Sequence, residues 1–148
     1  MTYEPTLPMR VWLSALRMSM FVRRHTRVLF QEYDLSGPQF GVLRVLHAAG
    51  ADGLKLSEVS DALHVTCGNI TSLVDGLEQR GYVVREPHPG DRRVVMAKLT
   101  QAGAEVFNEL APRYLERIDG IMSCLTASEQ ETLADLLDRV AEHVGREE

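Results

Sequence analysis

Residues 54–63 read Leu54-Lys55-Leu56-Ser57-Glu58-Val59-Ser60-Asp61-Ala62-Leu63, and residues 66–81 read Thr66-Cys67-Gly68-Asn69-Ile70-Thr71-Ser72-Leu73-Val74-Asp75-Gly76-Leu77-Glu78-Gln79-Arg80-Gly81. In the first stretch Leu56, Val59 and Leu63 recur at i, i+3 and i+7, one face of a helix. Ser57 is the expected N-cap. His64-Val65 interrupts the pattern. Thr66 restarts it, since its hydroxyl can accept from a backbone N–H two or three residues on. Ile70, Leu73, Val74 and Leu77 then form a buried stripe at i, i+3, i+4 and i+7. The opposite side presents Gly68, Ser72, Asp75 and Gln79, flanked by Asn69, Thr71 and Gly76. Gly81 closes the helix as a C′ residue does.

Working outward, Tyr82-Val83-Val84-Arg85 is β-branched and aromatic and reads as a strand. Pro87-His88-Pro89-Gly90-Asp91 has turn chemistry. Val94-Val95-Met96-Ala97-Lys98-Leu99 is the return strand, with Arg92 and Arg93 where the tip rejoins it. Thr100 caps a further helix. Two short helices with a tight turn, followed by a hairpin with an arginine-bearing tip, form a helix-turn-helix with a two-stranded β wing. Such a unit can set its second helix in a DNA groove and its hairpin against the backbone or minor groove.

Four stretches make the likeness specific: Ile70 to Glu78; Arg80-Gly81-Tyr82-Val83-Val84-Arg85; Asp91-Arg92-Arg93 with the trailing Leu99-Thr100-Gln101-Ala102-Gly103; and Leu125-Thr126 with Glu129. On these, from about Met9 to Val144, the chain resembles the multiple-antibiotic-resistance regulator (MarR) family of bacterial winged-helix transcription factors. The resemblance implies a mainly α fold, with the winged helix-turn-helix flanked by N- and C-terminal dimerisation helices. It implies DNA contacts from Thr66, Cys67, Gly68, Asn69, Thr71, Ser72 and Gln79 on the recognition helix. From the wing it implies His88, Asp91, Arg92 and Arg93. Two positions depart from the family's pattern: Ser72 and Gly76 stand where basic residues are often found. Base readout then falls to the neutral hydrogen-bonding groups of Asn69, Thr71, Ser72 and Gln79.

The flanks present this module. Met9 to about residue 33 reads as a helix with Met9, Leu13, Leu16 and Met20 on one stripe, beside Phe21, Val28 and Leu29. Gly37-Pro38 begins another, with Phe40, Leu43, Val45 and Leu46. Residues 101–124 form a long helix that Pro112 is expected to kink or break. Thr126-Ala127-Ser128-Glu129 is a capping box opening a last helix with Leu133, Leu136, Leu137, Val140 and Val144 on one side. The expected organisation is one domain over 1–148, with dimerisation helices at 9–33 and 101–146 and the winged helix-turn-helix at about 36–100. Surplus apolar stripes on terminal helices call for a partner. A two-fold homodimer would set two recognition helices on successive major grooves of a near-palindromic operator.

Composition is consistent with this. With 148 residues, 45% of them apolar, the chain can bury a core. No run of 18 apolar residues predicts a membrane span, and Met1-Thr2-Tyr3-Glu4-Pro5 shows no secretory leader. The net charge of −5 is unevenly spread: residues 105–148 hold eleven acids and four arginines, while residues 1–104 hold ten acids and twelve basic side chains. The DNA-reading half is therefore mildly basic, and local field decides where DNA docks. Cys67 and Cys124 form no C-x-x-C, which fits a reducing cytoplasm. Cys124 is expected in the core near a helix end. Cys67, at the first position of the recognition helix, reads as a partly buried small residue. The alternative is a thiol redox sensor, because a helix N-terminus favours the thiolate.

His25, His47, His64, His88 and His143 lack metal-site spacing, so no metal or cofactor is expected. The resemblance implies an effector crevice between the dimerisation helices and the winged helix. Trp12, Arg17, Phe21 and His47 are its candidates, for a small aromatic or phenolic ligand. No phosphate loop, nucleophile elbow or zinc-protease motif is present, so an enzyme is not expected. The expected function is a DNA-binding transcriptional repressor released by an effector. The alternative is a winged-helix module that binds protein rather than DNA.

Overall fold

The computed structural model describes residues 4–146, so the reading of Met1-Thr2-Tyr3 lies outside the described residues. The elements run α1 (Leu7–Gln31), α2 (Gly37–Ala49), a short 3-10 turn (Gly50–Asp52), β1 (Leu54–Lys55), α3 (Leu56–Leu63), α4 (Cys67–Gln79), β2 (Val83–His88), β3 (Asp91–Leu99), α5 (Gln101–Met122) and α6 (Ala127–Gly145). Two compact units meet at Tyr114 and Leu115, within α5.

In the first unit the core gathers the apolar stripes of its helices and of the wing strands. Leu29 and Phe30 come from the end of α1, and Phe40, Val42, Leu43 and Leu46 from α2. Val59 of α3, Ile70, Val74 and Leu77 of α4, Val83 and Ala97 of the sheet, and Leu110 of α5 complete it. An aromatic set runs through it: Phe30 stacks on Phe40 at 5.2 Å, and Phe40 on Phe107 at 5.5 Å between ring centroids. Side chains of this size contribute roughly 1.5–3 kcal/mol each when fully buried, so the helix-turn-helix is held from behind.

The helix ends obey their local chemistry. Ser36 and Gln39 exchange side-chain and backbone hydrogen bonds in a capping box that starts α2. Thr66 Oγ1 accepts from the Asn69 N–H, as its sequence position predicts. Gly81, with φ +74°, terminates α4. Its N–H donates to the Glu78 carbonyl and that of Tyr82 to the Leu77 carbonyl, the paired bonds of a Schellman ending.

Several boundaries differ from the sequence expectation. Ser57 is not the N-cap of α3. Leu54-Lys55 pairs with Met96-Ala97 as a third strand, so the order is β1-β3-β2 and the helix starts two residues earlier, at Leu56. Lys55 takes the N-cap position, and the Glu58 carboxylate accepts from its N–H at 2.8 Å. The wing hairpin is also longer than its propensity suggests. β2 continues through Pro87 to His88 and β3 begins at Asp91, leaving Pro89-Gly90 as the tip. Pro87 is tolerated because β2 is an edge strand, where a missing donor costs no ladder bond.

Pro112 does not break α5, which runs to Met122. A proline removes one N–H, but a long helix retains its remaining bonds. At the start of α5, Thr100 Oγ1 donates to the Gly81 carbonyl at 2.6 Å and accepts from the Gly103 N–H at 3.0 Å. Gly103 lies against the Tyr82 carbonyl so closely that a Cβ would collide with it. The Leu-Thr-Gln-Ala-Gly run is thus the joint between wing and helix.

In the second unit, Thr126 and Glu129 form the expected capping box: the Thr126 N–H donates to the Glu129 carboxylate at 2.8 Å and the Glu129 N–H to Thr126 Oγ1 at 3.3 Å. No residue of α6 is buried, and Leu136, Leu137, Val140 and Val144 are exposed. Cys124 is exposed as well, not a core residue; it sits in the turn between two helices that bury little.

Candidate nucleic-acid interface

The turn between α3 and α4 uses His64 in the left-handed region, φ 51°, with its N–H on the Asp61 carbonyl. Ser60, buried, donates its hydroxyl to the Val65 carbonyl and fixes the turn from beneath. These contacts set the angle at which α4 leaves α3. The outward side of α4 follows the predicted periodicity: Gly68, Asn69, Thr71, Ser72, Asp75 and Gln79 are all exposed.

The exposed residues differ in what remains free for a ligand. Thr66 is occupied in its cap. Thr71 donates its hydroxyl to the Cys67 carbonyl at 3.0 Å. Asn69, Ser72 and Gln79 have no intramolecular side-chain bond among the described residues. Gly68 faces open space, so the backbone there is accessible. Cys67 is exposed rather than partly buried. Its sulfur lies 4.0 Å from Ser60 Oγ.

On the wing, His88 Nδ1 accepts from the Gly90 N–H at 3.0 Å and closes the tip. Asp91 accepts from the Arg93 backbone N–H at 3.0 Å and from its Nε at 3.1 Å. The side-chain and backbone hydrogen bonds from Arg93 hold the Asp91 carboxyl below its ordinary value. Arg93 nevertheless remains 90% exposed. Arg92 is exposed and makes no ion pair among the described residues.

Sequence reasoning gave no role to Arg85, nor to Arg80 beyond its place in the motif. Arg80 is not available at the end of α4: it donates to the Gly76 carbonyl at 2.7 Å and pairs with Asp34 at 2.9 Å. Arg85, at the base of the wing, pairs with Asp75 at 2.7 Å and with Glu78 at 2.6 Å, and donates to the Thr71 carbonyl at 3.1 Å. Burial alone would lower the Arg85 pKa; the bonds and charges of Glu78 and Asp75 outweigh it and raise it above the ordinary value. The available signal was two acids three residues apart on the recognition helix, with an arginine at the start of the next strand.

The four candidate crevice residues are not brought together within one protomer. Trp12 is 61% exposed. Phe21 lies nine residues further along α1, about two and a half turns, and so on the opposite side of the helix. Arg17 lines a shallow groove along α1 with Arg10, Leu13, Ser14, Leu16 and Met20. His47 belongs to a different hollow, with Gly50, Leu99 and Thr100, and packs on the Phe107 ring at 4.4 Å. Among the described residues no group of three or more His, Cys, Asp or Glu could hold a metal ion, and no helix is long and apolar enough to cross a membrane.

Comparison with known proteins agrees with this geometry. Residues 33–94 match the model of the MarR family. The chain is 33% identical to the HTH-type transcriptional regulator PecS of Dickeya dadantii over 138 residues, covering 93% of this chain and 83% of PecS. It superposes on Sco3205, a MarR family transcriptional regulator from Streptomyces coelicolor solved in complex with DNA, with a TM-score of 0.87 and 25% identity over 97% of this chain and 91% of that one. The PcaV transcriptional regulator from the same organism, solved with its natural ligand, superposes with a TM-score of 0.85 and 26% identity, covering 95% and 98%.

Proposed function

The chain belongs to the MarR family of transcriptional regulators, and from that premise we propose that it is a repressor that binds a near-palindromic operator as a homodimer and is released by a small aromatic or phenolic effector. One observation carries the reading. The outward side of α4 offers Asn69, Ser72 and Gln79 unbonded, beside a hairpin whose tip exposes Arg92 and Arg93. Asn and Gln can read adenine edges, while the arginines grip phosphate or a narrow minor groove. Asp91 acts by orienting Arg93. Thr66, Cys67, Gly68 and Thr71 bring the first turn of α4, with its N–H groups and positive dipole end, against a backbone phosphate. DNA-bound Sco3205 supports the docking mode.

The homodimer is supported by what each terminal helix leaves uncovered. On α1, Leu13, Leu16, Met20 and Phe21 are exposed; on α6, Leu137, Val140 and Val144. About half of each residue is still exposed, so covering the rest would contribute on the order of 1 kcal/mol apiece, which a second copy supplies. The effector site is then a property of the dimer, with Trp12, Arg17, Phe21 and His47 drawn from its two halves. Ligand-bound PcaV supports an effector as such. The cytoplasm is the compartment where the operator is found.

A second reading is a winged-helix module that binds protein and not DNA. It is favoured by α4 itself, which carries Asp75 and Glu78 and no basic residue. A gel shift against mixed-sequence duplex at low salt separates the two. Retarded duplex is expected; no retardation at any protein concentration would leave the protein-binding reading. A thiol-sensing variant rests on exposed Cys67 and is checked by Cys67→Ser, which is expected to leave effector release intact.

A further inference from the structure

Helix α4 has an electrostatic problem that its fold must solve. From Cys67 to Gln79 it carries two carboxylates and no cation. Asp75 lies on the outward side, with 54% of its side chain exposed, and Glu78 lies on the side nearest the wing. DNA presents one negative charge per about 1.7 Å of helix axis, so two bare carboxylates would oppose the approach of this helix. Arg80, the nearest cation in sequence, is held by Asp34 and the Gly76 carbonyl.

Arg85 is the cation that reaches both. Its two terminal nitrogens divide between Glu78 and Asp75. Its backbone N–H donates to the other Glu78 oxygen at 3.2 Å, so Glu78 is gripped from two directions. The planar guanidinium fork suits this sharing, which a single ammonium could not reproduce in geometry although it could in charge. The arginine is 21% exposed, so it faces its acids more than solvent.

We propose that Arg85 is a positioning residue for DNA binding: by gripping Asp75 and Glu78 it offsets one of the two carboxylate charges of α4, leaving the cluster at −1 instead of −2, and so eases the approach of the helix to the phosphates. The arginine acts through the two acids and touches no DNA. The inference rests on the DNA-binding reading above, and the first measurement tests that reading separately.

The experiment follows the anisotropy of a fluorescent mixed-sequence duplex with the full chain across a range of salt. Wild type comes first; failure to bind at low salt removes the DNA-binding reading and this inference with it. Given binding, Arg85→Gln is expected to weaken it about tenfold at low salt, less as salt screens the exposed charges. Adding Asp75→Asn and Glu78→Gln to Arg85→Gln is expected to return affinity at least to that of wild type, since the cluster then carries no charge, against −1 in wild type and −2 in Arg85→Gln. Arg85→Lys is expected to stay within about threefold, because it retains the charge. A purely structural clasp is not restored by deleting its acidic ends. A triple variant as weak as Arg85→Gln, or Arg85→Lys equally weak, overturns the proposal. If Arg85→Gln loses its circular-dichroism signal, Asp75→Asn with Glu78→Gln on the native Arg85 decides. Tighter duplex binding supports charge cancellation, and unchanged or weaker binding overturns it.

Discussion

Arg92 and Arg93 are adjacent in sequence and unequal in restraint. Asp91 holds Arg93 through backbone and side chain, whereas Arg92 is unpaired among the described residues. Both are proposed to face phosphate, and Asn69 a base edge. Arg92→Ala with Arg93→Ala should therefore weaken binding to every duplex and reduce the log–log salt slope by about one unit per lost contact. Asn69→Ala should relax sequence preference with little change of slope, because it removes a neutral contact worth roughly 1–3 kcal/mol if bidentate. Salt titrations on operator and mixed duplex check this; equal slope changes with preference intact would contradict the division of roles. Gly76, where the family often has a basic residue, also has a packing reason. A Cβ there would come within 2.6 Å of the Gln39 amide nitrogen, and that amide belongs to the side chain that caps α2.

Among the elements, two helix starts invite measurement. At α5, Gly103→Ala would push a methyl into the Tyr82 carbonyl and the Leu99 side chain. Overpacking of this kind costs about 1–3 kcal/mol, so urea unfolding should show a lower midpoint; an unchanged midpoint would mean the joint yields freely. At α6, the backbone and then the side-chain hydrogen bonds of Thr126 hold the Glu129 carboxyl below its ordinary value of 4.5. A carboxyl lowered in the folded state stabilises it fully above the unfolded value and ceases to do so as pH falls through the folded one. Glu129→Ala should thus lower the melting temperature at pH 7 and have little effect in strong acid. An effect of the same size at both pH values would remove the ionised cap as its cause.

For the whole molecule, the uncovered apolar stripes of α1 and α6 are the proposed means of dimerisation, and two linked reading heads are the proposed means of operator recognition. The protein should sediment as a dimer at micromolar concentration, and removal of residues from Ser128 onward should abolish both dimer and tight operator binding. A monomer that binds operator tightly would contradict this. Effector control is a coupling between two sites and must be reciprocal. A small aromatic acid should quench Trp12 fluorescence and release operator, and saturating operator should weaken the acid by the same factor. Quenching without any change in operator affinity would separate Trp12 from regulation.

The sequence by itself determined what depends on near neighbours. Thr66, Thr100 and Thr126 cap helices as their positions predict, Gly81 ends α4, and the spacing of Ile70, Val74 and Leu77 is enough to fix which side of that helix is buried. The wing's arginines and the family were legible for the same reason, since short motifs encode local geometry. Only the tertiary structure decided the features made by residues far apart in the chain. Leu54-Lys55 became a strand because β3 offered an unpaired edge, which moved the start of α3 and the cap with it. Arg80 was drawn away by Asp34, 46 residues distant, and Arg85 folded back onto α4. Cys67 and Cys124 proved exposed because the surfaces near them are not covered within one chain. The periodicity of a stripe says that it seeks burial; what covers it depends on other segments, and for α1 and α6 on the proposed second copy.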